Sequence, residues 1–391
     1  MSPPLVSRSR DLGRLRDEGY DLEVKSNHLL VKGIPYVNAG REVRHGTLVS
    51  ELTLAGEVTA TPGTHVAMFV GEHPCHKDGS EIAQIKHATG DQDLGNGLVV
   101  NHSFSNKPAG GYPDYYAKVT RYAEIISNPA RAIDPEATAK HFRPVPTGCE
   151  ESVFEYFDTA SSRAGITAVT ARLAVGQVGI VGLGGTGSYV LDLVAKTPVE
   201  EIHLFDGDRM LNHNAFRAPG APSIAQLAEK PPKVAYFGGL YSRMRRGIVA
   251  HDYYITGTNV DRLRAMDFVF LCLDRGGEKR QIVESLLVWG IPFIDVGMGV
   301  ELDGGTLGGI VRVTSVTPAR CDHVPTRIPF PEDAGGDDYS SNIQIADLNA
   351  LNAALAVIRW KKHLGFYRDL DREHHCTYTI DGNMLLGEDR V

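Results

Sequence analysis

The stretch QVGIVGLGGTGS, residues 177–188, joins a short apolar run to a glycine turn, and the helical pattern SYVLDLVAK begins at its last residue. A strand that ends in G-x-G-x-x-G and leads into a helix is the setting of a nucleotide phosphate loop. Gly182 permits the tight turn and Gly184 lets the backbone approach a phosphate. Gly187 allows close helix packing, Gly185 lies between them, and the helix amides face the anion. Asp206 stands 24 residues after Gly182, at the end of the strand pattern EIHLF, where a carboxylate can bind ribose hydroxyls. This set alone equally describes a nicotinamide-dependent dehydrogenase. Glycines that serve only a strand-to-helix turn are the plainer alternative.

Outward from this turn the chain alternates. A helix through TAVTARLA precedes it. After EIHLF come a helix through KVAYFGGLYSRM, strands at IVAHDYYI and DFVFLCL, a helix through EKRQIVESLLVW and a strand at IPFIDV. Parallel strands need crossover connections, so the pattern predicts an α/β fold: a doubly wound, Rossmann-like, mainly parallel sheet over residues 152–391. Beyond Gly305 a β-like TLGGIVRVTSV, a polar loop, the long helix NIQIADLNALNAALAVIRWKKHL and a terminal strand CTYTIDGNML follow, with antiparallel strands expected at that end.

Residues 1–145 read differently. Short β-like runs, HLLVKGIPYV and HVAMFVGEH, are separated by DGS, NGL and PAGGYPD turns. A helical pattern over Tyr115–Ser127 then places Tyr116, Val119, Tyr122, Ala123 and Ile126 on one face. This predicts a smaller α+β domain, with the boundary in the Pro-rich, polar stretch at residues 135–150.

With 391 residues the chain has room for two or three domains, which excludes a peptide hormone or a disulfide mini-scaffold. The net charge of −8 supplies no field for nucleic acid or an anionic membrane. The five cysteines, Cys75, Cys149, Cys272, Cys321 and Cys376, are odd in number and form no C-x-x-C pair, which points to a reducing cytoplasm. No stretch of about 18 apolar residues and no apolar leader in MSPPLVSRSRDLGRLRDEGY suggests a membrane span or secretion.

The residues after Asp206 separate the nucleotide readings. Asp208, Asn214 and Arg217 are followed by Lys233 in PPKVAYF and by Asp274 at the end of DFVFLCLD. A dinucleotide's pyrophosphate needs little beyond helix amides, whereas a triphosphate about to lose pyrophosphate needs cations and a metal. Arg217 and Lys233 are the cations, and Asp274, on the carboxyl edge of the sheet, is placed to hold Mg²⁺.

The segments GLGGTGS, DGDRMLNHNAFR, PKVAYF and FLCLDRGGEKR resemble the ThiF/MoeB family, to which ubiquitin-activating enzymes belong. The resemblance covers about residues 152–385. It implies that Asp206 binds ribose, that Asp208 is the second Asp of a D-x-D, and that Asn214 and Arg217 contact phosphate. It further implies that Lys233 is the site lysine and Asp274 the magnesium-associated aspartate, although Arg275 stands where the family often has Asn. ATP-dependent adenylation of a ubiquitin-like protein's C-terminal glycine by a homodimer is the activity it implies. Arg163, in ASSRAGI, falls in the segment that supplies an arginine finger, and a helix-surface arginine is its plainer reading.

Two family features are altered. The zinc-binding C-x-x-C pairs are missing; Cys321-Asp322-His323 and His374-His375-Cys376 stand in their region, and zinc is not expected. The loop that carries a nucleophilic cysteine in relatives reads EDAGGDDYSSNIQ. There Ser340 and Ser341 are candidate acyl acceptors or a helix cap, with Cys321 as the rival nucleophile. In the first domain Cys75 sits between His73 and His76, with His102 beyond. Flanking histidines can activate a thiol or share a metal, and a buried cysteine among hydrogen-bonded histidines is the alternative. This domain resembles those fused to bacterial ThiF-type proteins in ubiquitin-like conjugation operons, which implies recruitment of the modifier or of a conjugating-enzyme partner. The competing functions are a sulfur-carrier adenylyltransferase, an NAD-dependent dehydrogenase and a non-catalytic modifier-binding scaffold.

Overall fold

The alternating segment folds into one eight-stranded sheet. The computed structural model describes residues 3–144, 152–273, 276–330 and 343–390. Among them the chain forms two units, Met1–Glu151 with Phe157–Ala164, and Ser152–Tyr156 with Gly165–Val391. The longer elements of the first are α1 (Arg10–Asp17), β1 (Asp21–Lys25), β2 (His28–Val37), β3 (Val43–Glu51), β4 (Val66–Val70), β5 (Lys86–Asp93), β6 (Val99–Ser105) and α2 (Tyr115–Arg131). Those of the second are β7 (Gln177–Val181), α3 (Gly185–Val194), β8 (Glu201–Phe205), α4 (Lys233–Tyr241), β9 (Ile248–His251), β10 (Phe268–Leu271) and α5 (Gly276–Trp289). They continue with β11 (Phe293–Asp303), β12 (Thr306–Val316), α6 (Ala346–His363), β13 (Glu373–Thr379) and β14 (Met384–Arg390).

The second unit's sheet runs β9-β8-β7-β10-β11-β12-β13-β14, parallel from β9 through β11 and antiparallel thereafter. Central strands read as continuous apolar runs because both faces are covered. Phe268 and Phe270 of β10 pack on one face with Val190 and Leu191 of α3 and Trp360 of α6. The alternate residues Val269 and Leu271 pack on the other face with Ile282, Val283 and Leu286 of α5. Arg245, after α4, is fully buried and donates to the carbonyls of Thr197 (3.1 Å), Val199 and Glu200 (3.3 Å), which staples the loop between α3 and β8. Desolvation pushes its pKa down to about 10.

Two expectations change. The terminal CTYTIDGNML is a hairpin of β13 and β14, because Asn383 adopts φ +46° and turns the chain back. The stretch TAVTARLA forms only a turn of helix at Thr167–Thr170 and a 3₁₀ turn at Ala171–Leu173, with Leu173 alone buried in it.

The first unit is a six-stranded antiparallel sheet, β1-β2-β3-β4-β6-β5, covered by α2. Asp114 caps α2 by accepting from Ala117 N at 2.7 Å. Val119, Tyr122, Ala123 and Ile126 are buried as the periodicity requires, while Tyr116 is only half-buried. The face is centred on Tyr115 instead, which brings Lys118 into the interior at 1% exposure. Its ammonium donates to Ser50 Oγ (2.8 Å) and Thr64 O (2.9 Å), and burial lowers its pKa from 10.5 to about 8.

A lysine whose folded-state pKa is depressed binds its proton more weakly folded than unfolded, so stability rises with pH between the two values. We expect Lys118 to contribute a gain on the order of 2 kcal/mol from pH 8 to 10, read by urea unfolding followed by circular dichroism. Lys118→Met should abolish that pH dependence, and an unchanged slope in the variant would refute the assignment. Tyr122 and Tyr20, whose pKa values burial raises, ionise first in the unfolded chain and lower stability as pH nears 10, so the Lys118 contribution is the difference between wild type and variant.

Candidate functional site

The glycine turn, the ends of β8 and β10 and the middle of β11 meet in one cleft. Gly182, Gly184, Gly185, Thr186, Asp206, Arg217, Lys233, Tyr254, Glu278, Gly297, Gln344 and Asn352 are among the residues that line it. This is the position where an open α/β sheet binds ligands, outside the carboxyl ends of its strands at the point where strand order reverses.

The glycines act differently from one another. Gly182 has φ +89°, and a Cβ there would lie 2.5 Å from Cys272 O. At Gly187 a Cβ would lie 1.9 Å from Gly182 O, and at Gly185 it would lie 2.1 Å from the Asn349 amide nitrogen. Gly184 faces open space, with nothing within 4 Å of a Cβ. Three of the four therefore permit close packing, and Gly184 leaves room for a ligand.

Asp206 is buried at 5% exposure. Its Oδ2 accepts from Leu183 N at 2.6 Å, and its Oδ1 accepts from Asp208 N at 2.7 Å. Lys233, the first residue of α4 and also buried, donates to Asp208 Oδ2 at 2.7 Å and lies 3.6 Å from Asp206 Oδ2. Tyr254 donates its hydroxyl proton to Asp208 Oδ1. Asn214 is buried beneath the short helix Asn212–Ala215, where its Oδ1 accepts from Leu211 N at 2.9 Å. It shapes the turn that delivers Arg217 and is not among the cleft-lining residues. Arg217 has its Nε buried without a hydrogen-bond partner. His213 beside it has a lowered pKa, from desolvation first and then from the Arg217 and Lys233 charges.

Asp274, Ser340 and Ser341 lie outside the described residues. Arg163 ends the short helix Thr159–Arg163 of the first unit, exposed, with its guanidinium 5.9 Å from the Phe142 ring centroid. Cys321 is exposed, and Cys376 is packed at the edge of the core with its pKa raised by burial. His323 and His374 are occupied with Ser315, and His375 with Thr314 Oγ1 at 2.9 Å. Among the described residues no group of three His, Cys, Asp or Glu side chains is placed to hold a metal.

The first unit's Cys75 is buried, donates its thiol proton to His73 O at 3.3 Å, and has its pKa raised by desolvation. The flanking histidines do not activate it. His73 turns instead toward His102 and Phe104, at ring separations of 5.0 and 5.6 Å.

Tyr254, Glu278, Gln344 and Asn352 are cleft-lining residues that sequence reading missed. Glu278 lies within the segment FLCLDRGGEKR but was not singled out there, and the others belong to no glycine or charge motif. The amide pair at Asn349 and Asn352 in an otherwise apolar helix stripe was the available signal. A buried ion-pair group lies behind the cleft, where Asp295 meets Lys279 Nζ at 2.6 Å and Arg312 Nη2 at 2.7 Å. It ties α5 to β11 and β12.

Residues 162–327 match the ThiF family and residues 10–159 match a domain of unknown function, DUF6791. The chain thus carries a ThiF family domain behind a DUF6791 module. Solved structures similar to it include E. coli MccB with ATP, at 18% identity and TM-score 0.46, with 57% of this chain and 66% of that chain covered. The microcin C7 biosynthetic enzyme MccB in complex with N-formylated MccA matches at 18% identity and TM-score 0.47, covering 59% and 69%. PaaA matches at 15% identity and TM-score 0.46, covering 69% and 85%. The chain spans 66% of the length of the first of these. No curated protein matches it in sequence. No helix among the described residues is long and apolar enough to cross a membrane.

The glycine geometry separates folding from binding. Gly184→Ala should leave the melting temperature within about 2 °C of wild type and weaken binding of a fluorescent ATP analogue about tenfold or more. Gly187→Ala should instead cost about 3 kcal/mol of stability, because a backbone carbonyl cannot move aside. Equal loss of stability in both variants would refute the distinction.

Proposed function

We propose that this chain uses ATP to adenylate the C-terminal glycine of a ubiquitin-like protein. The observation that carries the reading is Arg217: a guanidinium lining the cleft beside the glycine turn, its Nε buried and unpartnered, is a cation kept for an anion. The ThiF family domain over residues 162–327 supports the same chemistry. A nicotinamide dinucleotide would leave Arg217 without a role.

In this reading the α3 amides and Gly184 receive the phosphates, and Asp206 accepts from the ribose hydroxyls with the lone pairs its two backbone donors leave free. A carboxylate oxygen of the modifier attacks the α-phosphorus. The bond from the α-phosphorus to the bridging oxygen breaks, and pyrophosphate departs with the electron pair. Arg217 and Lys233 stabilise the charge that builds on the leaving group. No general base is required, because the attacking carboxylate is already ionised. Magnesium on a triphosphate needs only one or two protein carboxylates, which Asp274 and the cleft-lining Glu278 would provide, and when bound it would neutralise phosphate charge.

The protein works as a cytoplasmic homodimer in this proposal, with Arg163 as the finger that one subunit lends to the other. The first unit recruits the modifier or a conjugating enzyme. Where the acyl group moves on to the protein itself, Cys321, exposed to solvent, competes with Ser340 and Ser341 as acceptor.

The test is ATP–pyrophosphate exchange with Mg²⁺ and a small glycine-terminated protein encoded beside this gene. Exchange should require the terminal glycine and fall about 100-fold or more in Arg217→Ala, Lys233→Ala and Asp274→Ala. A folded wild-type protein that binds this partner yet gives no exchange would reverse the conclusion in favour of a scaffold.

A further inference from the structure

The cleft has two chemically different ends, and the strand order tells them apart. The glycine turn follows β7, at the centre. On the β8 and β9 side lie Asp206, Tyr254, Ile255 and Phe205, the carboxylate and apolar wall suited to a nucleoside. On the opposite side, where β10 and β11 run, Val296, Gly297, Met298, Gln344 and Asn352 line the wall together with Glu278 from the start of α5, and no cation is among them.

Asn352 is fully buried. Its Nδ2 donates to Gly297 O at 3.0 Å. A carbonyl can only accept, so the other atom of this carboxamide is necessarily its oxygen, and that oxygen is buried without a donor. Gln344 Oε1, from the approach to α6, is likewise buried and unpartnered. Asn349, one turn before Asn352, fixes α6 against the glycine turn: its Oδ1 accepts from Thr186 Oγ1 at 2.8 Å, and Gly185 packs against its amide.

Two buried acceptor oxygens without donors, on a side whose lining residues include no cation, repel phosphate and call for donors. The group that reaches this end during adenylation is the acyl chain, and what every polypeptide offers there is backbone N–H. We propose that Asn352 and Gln344 form the subsite that receives the backbone amides of the last residues of the polypeptide substrate. The subsite rests on the adenylation reading and adds to it the residues that distinguish a peptidyl carboxylate from a small carboxylic acid.

The experiment uses two defined probes that share a nucleoside, 5′-O-sulfamoyladenosine and 5′-O-[N-(acetylglycylglycyl)sulfamoyl]adenosine, titrated calorimetrically into the full-length protein. Wild type should bind the peptidyl probe about tenfold or more tighter than sulfamoyladenosine. Asn352→Ala and Gln344→Ala should each remove about fivefold of that preference and leave sulfamoyladenosine affinity unchanged. Gln344 is half-buried outside the helix, so its variant carries the test alone if loss of the Gly297 contact unfolds Asn352→Ala. Equal affinity of wild type for the two probes would overturn the proposal, as would an unchanged preference in the variants. Parallel weakening of both probes would place the carboxamides on the nucleoside instead. If wild type binds neither probe, the adenylation reading falls and the subsite falls with it.

Discussion

One buried carboxylate holds the cleft together. Asp206, just past the end of β8, accepts from Leu183 N in the glycine turn and from Asp208 N in its own loop, and it lies within ion-pair reach of Lys233 at the start of α4. Three segments distant in sequence are thereby tied to a single pair of oxygens. Burying this charge would be costly without those donors, and with them it orients the turn, the loop and the helix start together. The turn geometry at Gly182 and Gly187 adds the second constraint, since neither position accommodates a Cβ against the facing carbonyl.

The two cations of the cleft differ in how they are held. Lys233 is shared between Asp206 and Asp208, so it is held in place before any ligand arrives. Arg217 keeps a buried, unpartnered Nε, whereas Asn352 of α6 and Gln344 just before that helix add carboxamides.

The first unit absorbs its reactive-looking groups into structure. Cys75 is desolvated and bonded to a carbonyl, and Lys118 is buried against a hydroxyl and a carbonyl in place of a carboxylate. Histidines near a thiol in sequence do not activate it unless their rings turn toward the sulfur. Here the His73 ring packs on His102 and Phe104.

The sequence by itself determined the doubly wound sheet, the glycine turn and the gathering of Asp206, Arg217 and Lys233, because strand and helix periodicity, glycine spacing and strand-end carboxylates are written in neighbouring residues. The hairpin at the end of the chain was less legible, since the turn at Asn383 depends on one left-handed residue within a β-like run. The same holds for the role of Asn214, which points inward to hold its own loop. Tyr254, Glu278, Gln344 and Asn352 were decided by tertiary structure alone. They reach the cleft from the loop after β9, from α5, from the approach to α6 and from α6 itself, and Asn352 stands 170 residues from Gly182 in the chain. Such contacts depend on where distant elements dock, which short-range spacing does not encode.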